Sequence, residues 1–229
     1  MRLRKDGMAT RKRILQAACQ VFGEKGFRDA THEEICKRAG TNIAAVNYHF
    51  GDKETLYVEA WRLAFQRSLK AHPPDGEVPP DASAEERLRG RVFAIMQRII
   101  DPQSYEFDIV HKELANPTGL LAEVMKASIE PIQRHMASIV RELLGEKAPE
   151  QQVFLCEMSI MSQCFHPMIH QRHHKALPQG PQSSCPPPLD MDIDILADHV
   201  TRFSLAGIRE IRRRLENGDL AELERHDDI

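Results

Sequence analysis

The twelve residues from Asn42 to Lys53 hold Asn42, Ala44, Ala45, Asn47, Tyr48, His49 and Lys53. Asn47 can offer a bidentate amide to an adenine edge, or contact a phosphate. Ala44 and Ala45 are small, so the element that carries them can approach bases closely. Tyr48 and His49 can reach backbone phosphates, although Tyr48 can equally pack part of its ring on its own domain. Lys53 opens a helical stretch, where a cation opposes the helix dipole, so it makes more sense as a phosphate clamp than as a stabiliser of its own helix. This is the chemistry of reading double-stranded DNA.

Two other constellations compete for attention. His166, His170, His173 and His174 lie at one helix end, and His166/His170 have the i, i+4 spacing of metal ligands. No Glu follows His166 as a zinc protease would need, and the plainer reading is a polar helix end leading into a proline loop. Cys156 and Cys164 are eight apart on one helix face, which a redox switch could use. No catalytic triad, phosphate loop or paired acid is present. The sequence therefore calls for no enzyme, no cofactor and no resident metal.

The DNA-reading residues need two short helices and a tight turn. Thr31-His32-Glu33-Glu34 has the form of a capping box, with Thr31 as N-cap and Glu34 reaching back. That helix runs to about Arg38, anchored by Ile35 and Ala39, with His32 and Glu33 solvated. Ala39-Gly40-Thr41 makes the turn. Asn42 caps the next helix, whose Ile43, Val46 and Phe50 share one face. The free amides behind Thr31 and Asn42 can point at phosphates. Upstream, Ile14, Ala17, Ala18, Val21 and Phe22 form one apolar face of a helix over about Ala9–Glu24, closed by Gly26 as a left-handed cap. Downstream, Asp52 caps a helix from Lys53 to about Ala71, with Leu56, Ala60, Leu63 and Ala64 inward. Helix, turn and helix in this order place the second short helix in a major groove. Arg2, Arg4 and Lys5 supply a basic arm.

Charge agrees with this division. The 229 residues carry a formal net charge of −3, which alone argues against a nucleic-acid partner. Residues 1–70, however, hold 14 Lys/Arg against 8 Asp/Glu, and residues 71–229 hold 17 against 26. A basic head of +6 precedes an acidic body of −9, so the body should be held off the phosphates. The longest charge-free, apolar-leaning stretch, Met158 to Gln171, has 14 residues and falls short of the ~20 of a membrane span. No apolar signal core follows the basic start, so a cytoplasmic protein is expected, on the nucleoid when DNA-bound. The five scattered cysteines suggest buried thiols.

Proline clusters in His72–Ser83 and Leu177–Leu189 read as loops. Between and after them the spacing predicts helices from Ser83 to Ile100, from about Ser104 to Ala115, from Thr118 to Leu144 with a kink at Pro131, from near Pro149 to about His174 with a kink at Pro167, and from about Met191 to Leu215. The expectation is an all-α chain of about nine helices. Residues 1–52 form the helix-turn-helix domain, helix 53–71 connects, and 72–229 form a regulatory and dimerisation domain.

The run Ala39-Gly40-Thr41-Asn42-Ile43-Ala44-Ala45-Val46-Asn47-Tyr48-His49-Phe50-Gly51-Asp52-Lys53-Glu54-Thr55-Leu56-Tyr57 resembles the TetR family of bacterial transcriptional regulators. So do Arg13-Ile14-Leu15, Ala17-Ala18 and Phe22-Gly23-Glu24-Lys25-Gly26-Phe27. The likeness covers about residues 8–60. It implies phosphate contacts for Thr31, Asn42, Tyr48, His49 and Lys53, and base contacts for Ala44, Ala45 and Asn47. Where this chain has Asn47 the family often has Tyr or Phe. Val110–Pro117 and Pro131-Ile132 resemble the C-terminal domain of the CecR-like branch.

The resemblance implies a homodimer that reads a palindrome, and a small-molecule effector that shifts the spacing of the two heads. Helix 151–168 is apolar on more than one side. Its Phe154, Met158, Met161 and Phe165, with Leu196, Val200, Phe203, Gly207 and Ile211 of the last helix, are the expected dimer contacts in a four-helix bundle. The rival is an internal core only. Phe107, His111, Met125, Met136, Met161 and Phe165 are candidate walls for the effector, with ordinary packing as the competing role. The resulting expectation is a ligand-responsive repressor. A DNA-associated protein acting through a protein partner, and more remotely a metal-dependent enzyme, are the alternatives.

Overall fold

The computed structural model describes residues 2–176 and 192–218. Among them are nine helices and no strand, as the all-α reading expects. They are α1 (Arg2–Asp29), α2 (His32–Ala39), α3 (Ile43–Phe50), α4 (Lys53–Ala71), α5 (Ala84–Ile100), α6 (Tyr105–Ala115), α7 (Ala122–Leu144), α8 (Glu150–Ala176) and α9 (Ile193–Asn217). The second proline cluster and Cys185 lie outside the described residues, as do the side chains of Arg2, Arg4 and Lys5. The backbone expected as a basic arm forms the first turns of α1.

Two compact units emerge: Met1–Ala71 with Asp101–Ile129, and His72–Ile100 with Glu130–Ile229. In the first, α1 packs on α4, α6 and α2 around Ile14, Ala18, Phe22, Ile35, Leu56, Tyr57 and Trp61, all buried. Leu63, expected inward, is half-buried. At Gly26 the helical path of α1 breaks, with φ +77° and ψ −179°. That is not the left-handed cap expected there, but its positive φ still favours glycine. A side chain at Gly26 would also come within 3.2 Å of Lys112 Cβ on α6.

The third long helix starts four residues later than the periodicity suggests, at Ala122. The reason is Glu113. Its Oε1 accepts from the Thr118 amide (2.8 Å), the Thr118 hydroxyl (2.8 Å) and the Gly119 amide (2.9 Å). Its Oε2 accepts from Tyr57 Oη at 3.0 Å. A carboxylate from the preceding helix thus holds 118–119 in a turn and fastens it to α4.

In the second unit α5 packs on α8 and α9. Ser83 and Glu86 form a reciprocal capping box: Glu86 N donates to Ser83 Oγ at 3.3 Å, and Ser83 N donates to Glu86 Oε2 at 3.0 Å. Arg91 is buried, donating to Ile132 O at 2.8 Å and bonded to His135 Nδ1 at 2.9 Å. Both α7 and α8 run continuously through their prolines.

Candidate nucleic-acid interface

Both short helices are capped where the sequence predicts. Thr31 Oγ1 accepts from Glu34 N at 3.2 Å, and Asn42 Oδ1 accepts from Ala45 N at 2.9 Å. Each such cap contributes about 1 kcal/mol to its helix. The second half of the expected box at Thr31 does not form. Glu34 instead sends its carboxylate to Lys25 Nζ at 2.8 Å and Arg38 Nη2 at 3.5 Å, so charged partners win over a backbone amide. Gly40 closes α2 in the left-handed region (φ +61°, ψ 47°) and turns the chain into α3. Asp52 caps α4 through the Thr55 amide at 2.7 Å.

α3 turns Val46 and Phe50 into the core and leaves the rest of its surface outward. Ile43, expected on the inner face, is half exposed: as the first residue of the helix it overhangs the small core. Ala44 and Asn47 are exposed and Ala45 is half-buried. Tyr48 is 85 % exposed, so its ring does not pack on its own domain. It stands edge-to-face with His49, centroids 5.0 Å apart. His49 is half-buried and faces the start of α1, where a Cβ on Gly7 would lie 3.9 Å from its Cε1. Thr31 is exposed at the start of α2. Thr31, Asn42, Ala44, Asn47 and Tyr48 therefore all present surface to solvent from one capped helix pair.

Lys53 is not a loose cation. Its Nζ donates to Arg28 O at 3.4 Å and lies 4.6 Å from the Phe27 ring centroid. Burial pulls its pKa below the ordinary lysine value, against the pull of Glu54 and Asp29. The ammonium thus rests on the Arg28 carbonyl near the end of α1, at the N-terminal end of α4. Arg11 escaped the sequence reading. It pairs with Glu59 at 2.9 Å and stands 5.0 Å from the Phe50 ring centroid, bracing α3 against α4. Nothing local in the sequence marks it, since Phe50 and Glu59 are both far along the chain. His32, expected to be solvated, has Nε2 buried without a hydrogen-bond partner among the described residues.

The other candidates divide between the units. Phe107, His111 and Met125 belong to the first, with His111 exposed. Met136, Met161 and Phe165 belong to the second, with Met136 buried and the other two half-buried. Of the expected dimer contacts, Phe154 (61 %), Met158 and Phe203 (63 %) are exposed large hydrophobics, and Gly207 is exposed too. Ile211 is half-buried, whereas Leu196 and Val200 are buried within the chain itself. Cys19, Cys36, Cys156 and Cys164 are free and buried. Burial raises the Cys156 thiol and pushes Cys164 up to about 12, the opposite of an activated redox pair. His166 is exposed, and the side chains of His170, His173 and His174 lie outside the described residues. Among the described residues no cluster of three metal-ligating side chains forms, and no helix is long and apolar enough to cross a membrane.

Comparison with known proteins gives this geometry a family. The profile described as "Bacterial regulatory proteins, tetR family" matches residues 14–60. The profile for the C-terminal domain of HTH-type transcriptional dual regulator CecR matches residues 84–208, more than half of the chain. CecR of Shigella flexneri is 29% identical over 159 residues, 65% of this chain and 71% of that protein. The HTH-type transcriptional regulator SrpR of Pseudomonas putida is 28% identical over 138 residues, 60% of this chain and 62% of that one. TtgW, also of Pseudomonas putida, is 33% identical over 117 residues, 51% of this chain and 83% of that one. Among solved structures, a putative transcriptional regulator from Pseudomonas aeruginosa PAO1 superposes with TM-score 0.68 at 17% identity, covering 89% of this chain and 92% of that one. A TetR-like regulator from Rhodococcus sp. RHA1 gives 0.63 at 16% identity, covering 87% and 95%.

Proposed function

The chain belongs to the TetR family of bacterial transcriptional regulators, with a CecR-type C-terminal domain, and from that premise we propose that it is a repressor which binds a palindromic operator as a homodimer and leaves it when a small-molecule effector binds. It is a DNA-binding regulator and not an enzyme. The observation that carries the finer reading is the exposed surface of the capped pair α2–α3, with Asn47 and Tyr48 outward, on the basic part of the chain. Residues 1–52 would act as the reading head, 53–71 as its link, and 72–229 as the dimerising and sensing part. Thr31, Asn42, Tyr48, His49 and Lys53 would hold phosphates, while Ala44, Ala45 and Asn47 face bases. For Lys53 this means exchanging the Arg28 carbonyl for a phosphate oxygen, a stronger, charge-assisted partner. The exposed Phe154, Met158 and Phe203 support the dimer. The effector would be met by Phe107, His111 and Met125 in the first unit or by Met136, Met161 and Phe165 in the second. The protein would work in the cytoplasm, on the nucleoid when bound.

Mobility-shift titration of the full chain on the DNA flanking its own gene, across a salt series, tests the reading. A sequence-selective shift whose affinity falls steeply with salt is expected. Absence of any selective shift, or one indifferent to salt, would sink it.

A further inference from the structure

From the first unit we infer a second ligand site, for a small multivalent oxyanion such as a phosphate ester or a polycarboxylate, in a cleft between α1, α4 and the start of α6. The cleft measures about 550 Å³ and is lined by Arg13, Gln16, Gln20, Arg67, Asp101 and Gln103, with Arg38 at its edge. That volume lies within the ~300–1,000 Å³ of small-molecule sites. Its lining is polar, which selects a polar ligand.

The arginines are not equivalent. Arg38 is committed: its Nη1 and Nη2 donate to Glu24 at 2.6 and 2.5 Å. Arg13 makes one long bond, 3.4 Å to Thr10 Oγ1. Arg67 has neither a hydrogen bond nor an ion pair among the described residues, though it is half-buried. The side-chain amides of Gln16, Gln20 and Gln103 are equally unengaged. The acid on the wall, Asp101, is occupied: it accepts from the Gln103 backbone N–H at 2.8 Å and has a further partner. Two cations and three amides thus converge on one volume, and among the described residues the long Arg13–Thr10 bond is the only one these side chains donate. Arg67 also lies close enough to the buried Cys19 for its charge to oppose the burial that pushes that thiol up to about 12. A guanidinium kept partly out of water without a counter-charge loses solvation, and an oxyanion restores it through charge-assisted hydrogen bonds.

DNA phosphate is a poorer occupant. Arg67 is fourteen residues from Lys53 on α4, about 21 Å along the axis at ~1.5 Å per residue. The cleft therefore belongs to the opposite end of α4 from the cation at the DNA-reading surface.

Isothermal titration of the full-length protein, without DNA, with inorganic pyrophosphate and with succinate tests the site. Saturable binding of at least one probe is expected. Arg67→Gln and Arg13→Gln should each weaken it about tenfold, the loss of one charge-assisted contact, while Lys53→Gln leaves it unchanged. Arg13 is exposed, so its variant stays informative if Arg67→Gln folds poorly. No saturable binding of either probe at millimolar concentration would overturn the proposal, as would equal affinity in wild type and Arg13→Gln, or loss in Lys53→Gln. If instead the two cleft variants reduce the salt dependence of DNA binding, the cations serve DNA phosphates and the small-molecule site is refuted.

Discussion

Asn47 and Lys53 are six residues apart and carry different kinds of information. Asn47 is exposed on α3, where its amide can match a donor–acceptor pair on one base edge. Lys53 is a point charge at the start of α4 and can match any phosphate. Asn47→Ala should therefore change base preference at one position per half-site by about 1–3 kcal/mol, read by binding to a library of single-base operator variants. Lys53→Ala should weaken specific and non-specific DNA alike, and reduce the salt slope by about 1. Identical behaviour of the two variants would dissolve the distinction. His135 allows a test of a different kind. Burial first, then the charges of Arg91 and Arg87, hold its pKa below the usual histidine value, with Asp75 opposing. Below about pH 6.5 the unfolded chain consequently binds the proton more readily. This contribution to stability is whole above that pH and is lost as pH falls through the folded value. His135→Gln keeps an acceptor for Arg91 and cannot titrate. Urea unfolding should show a smaller loss of stability on acidification in that variant than in the wild type.

At the scale of elements, the turn between α2 and α3 depends on Gly40. Its φ of +61° is a left-handed conformation, and nothing lies within 4 Å of an added Cβ. Gly40→Ala should thus cost about 1 kcal/mol through backbone strain alone, and Gly40→Asn less, by denaturant unfolding. Glu113→Ala should cost more, about 2–3 kcal/mol, because it leaves the part-buried Thr118 amide and Tyr57 hydroxyl without their acceptor and frees the exposed Gly119 turn. These two cases also mark what a sequence can disclose. Gly40, Thr31, Asn42 and Asp52 act on neighbours within four residues, so their signals are local and could be read directly. Glu113 serves Tyr57, fifty-six positions away, and it overrode the periodicity that placed a helix start at Thr118. Glu34 likewise abandoned its capping box for Lys25 on α1. The candidate site divides in the same way. Tyr48 and Asn47 could be named from spacing and resemblance, whereas Arg11 and the Arg67 cleft exist only once α1 lies along α4.

For the whole molecule, the question is what covers α8 and α9. α8 buries Val153, Cys156, Ile160, Cys164 and Met168 along one face, at helical spacing, within its own unit. Phe154, Leu155 and Met158 fall on another face and remain exposed, as do Ile195 and Phe203 on α9. α8 already packs on α5 and α9 within its unit, so an apolar face still left exposed has a further partner to find. Because Leu196 and Val200 already pack inside the chain, the exposed set is narrower than the sequence suggested, and it is the set to mutate. Phe154→Glu with Phe203→Glu removes no intramolecular core contact of that kind and adds two charges to a body that is already net −9. Sedimentation velocity should show the wild type as a dimer and the double variant as a folded monomer, with unchanged helical circular dichroism. DNA affinity provides the second readout. A dimer places its recognition helices about one turn apart, so inserting about five base pairs between half-sites should abolish tight wild-type binding. The monomeric variant, bound through one head, should be weak on both operators and indifferent to the insertion. A double variant that stays dimeric would mean that α8 and α9 do not form the interface. A wild type indifferent to spacing would mean that the two heads do not read DNA together.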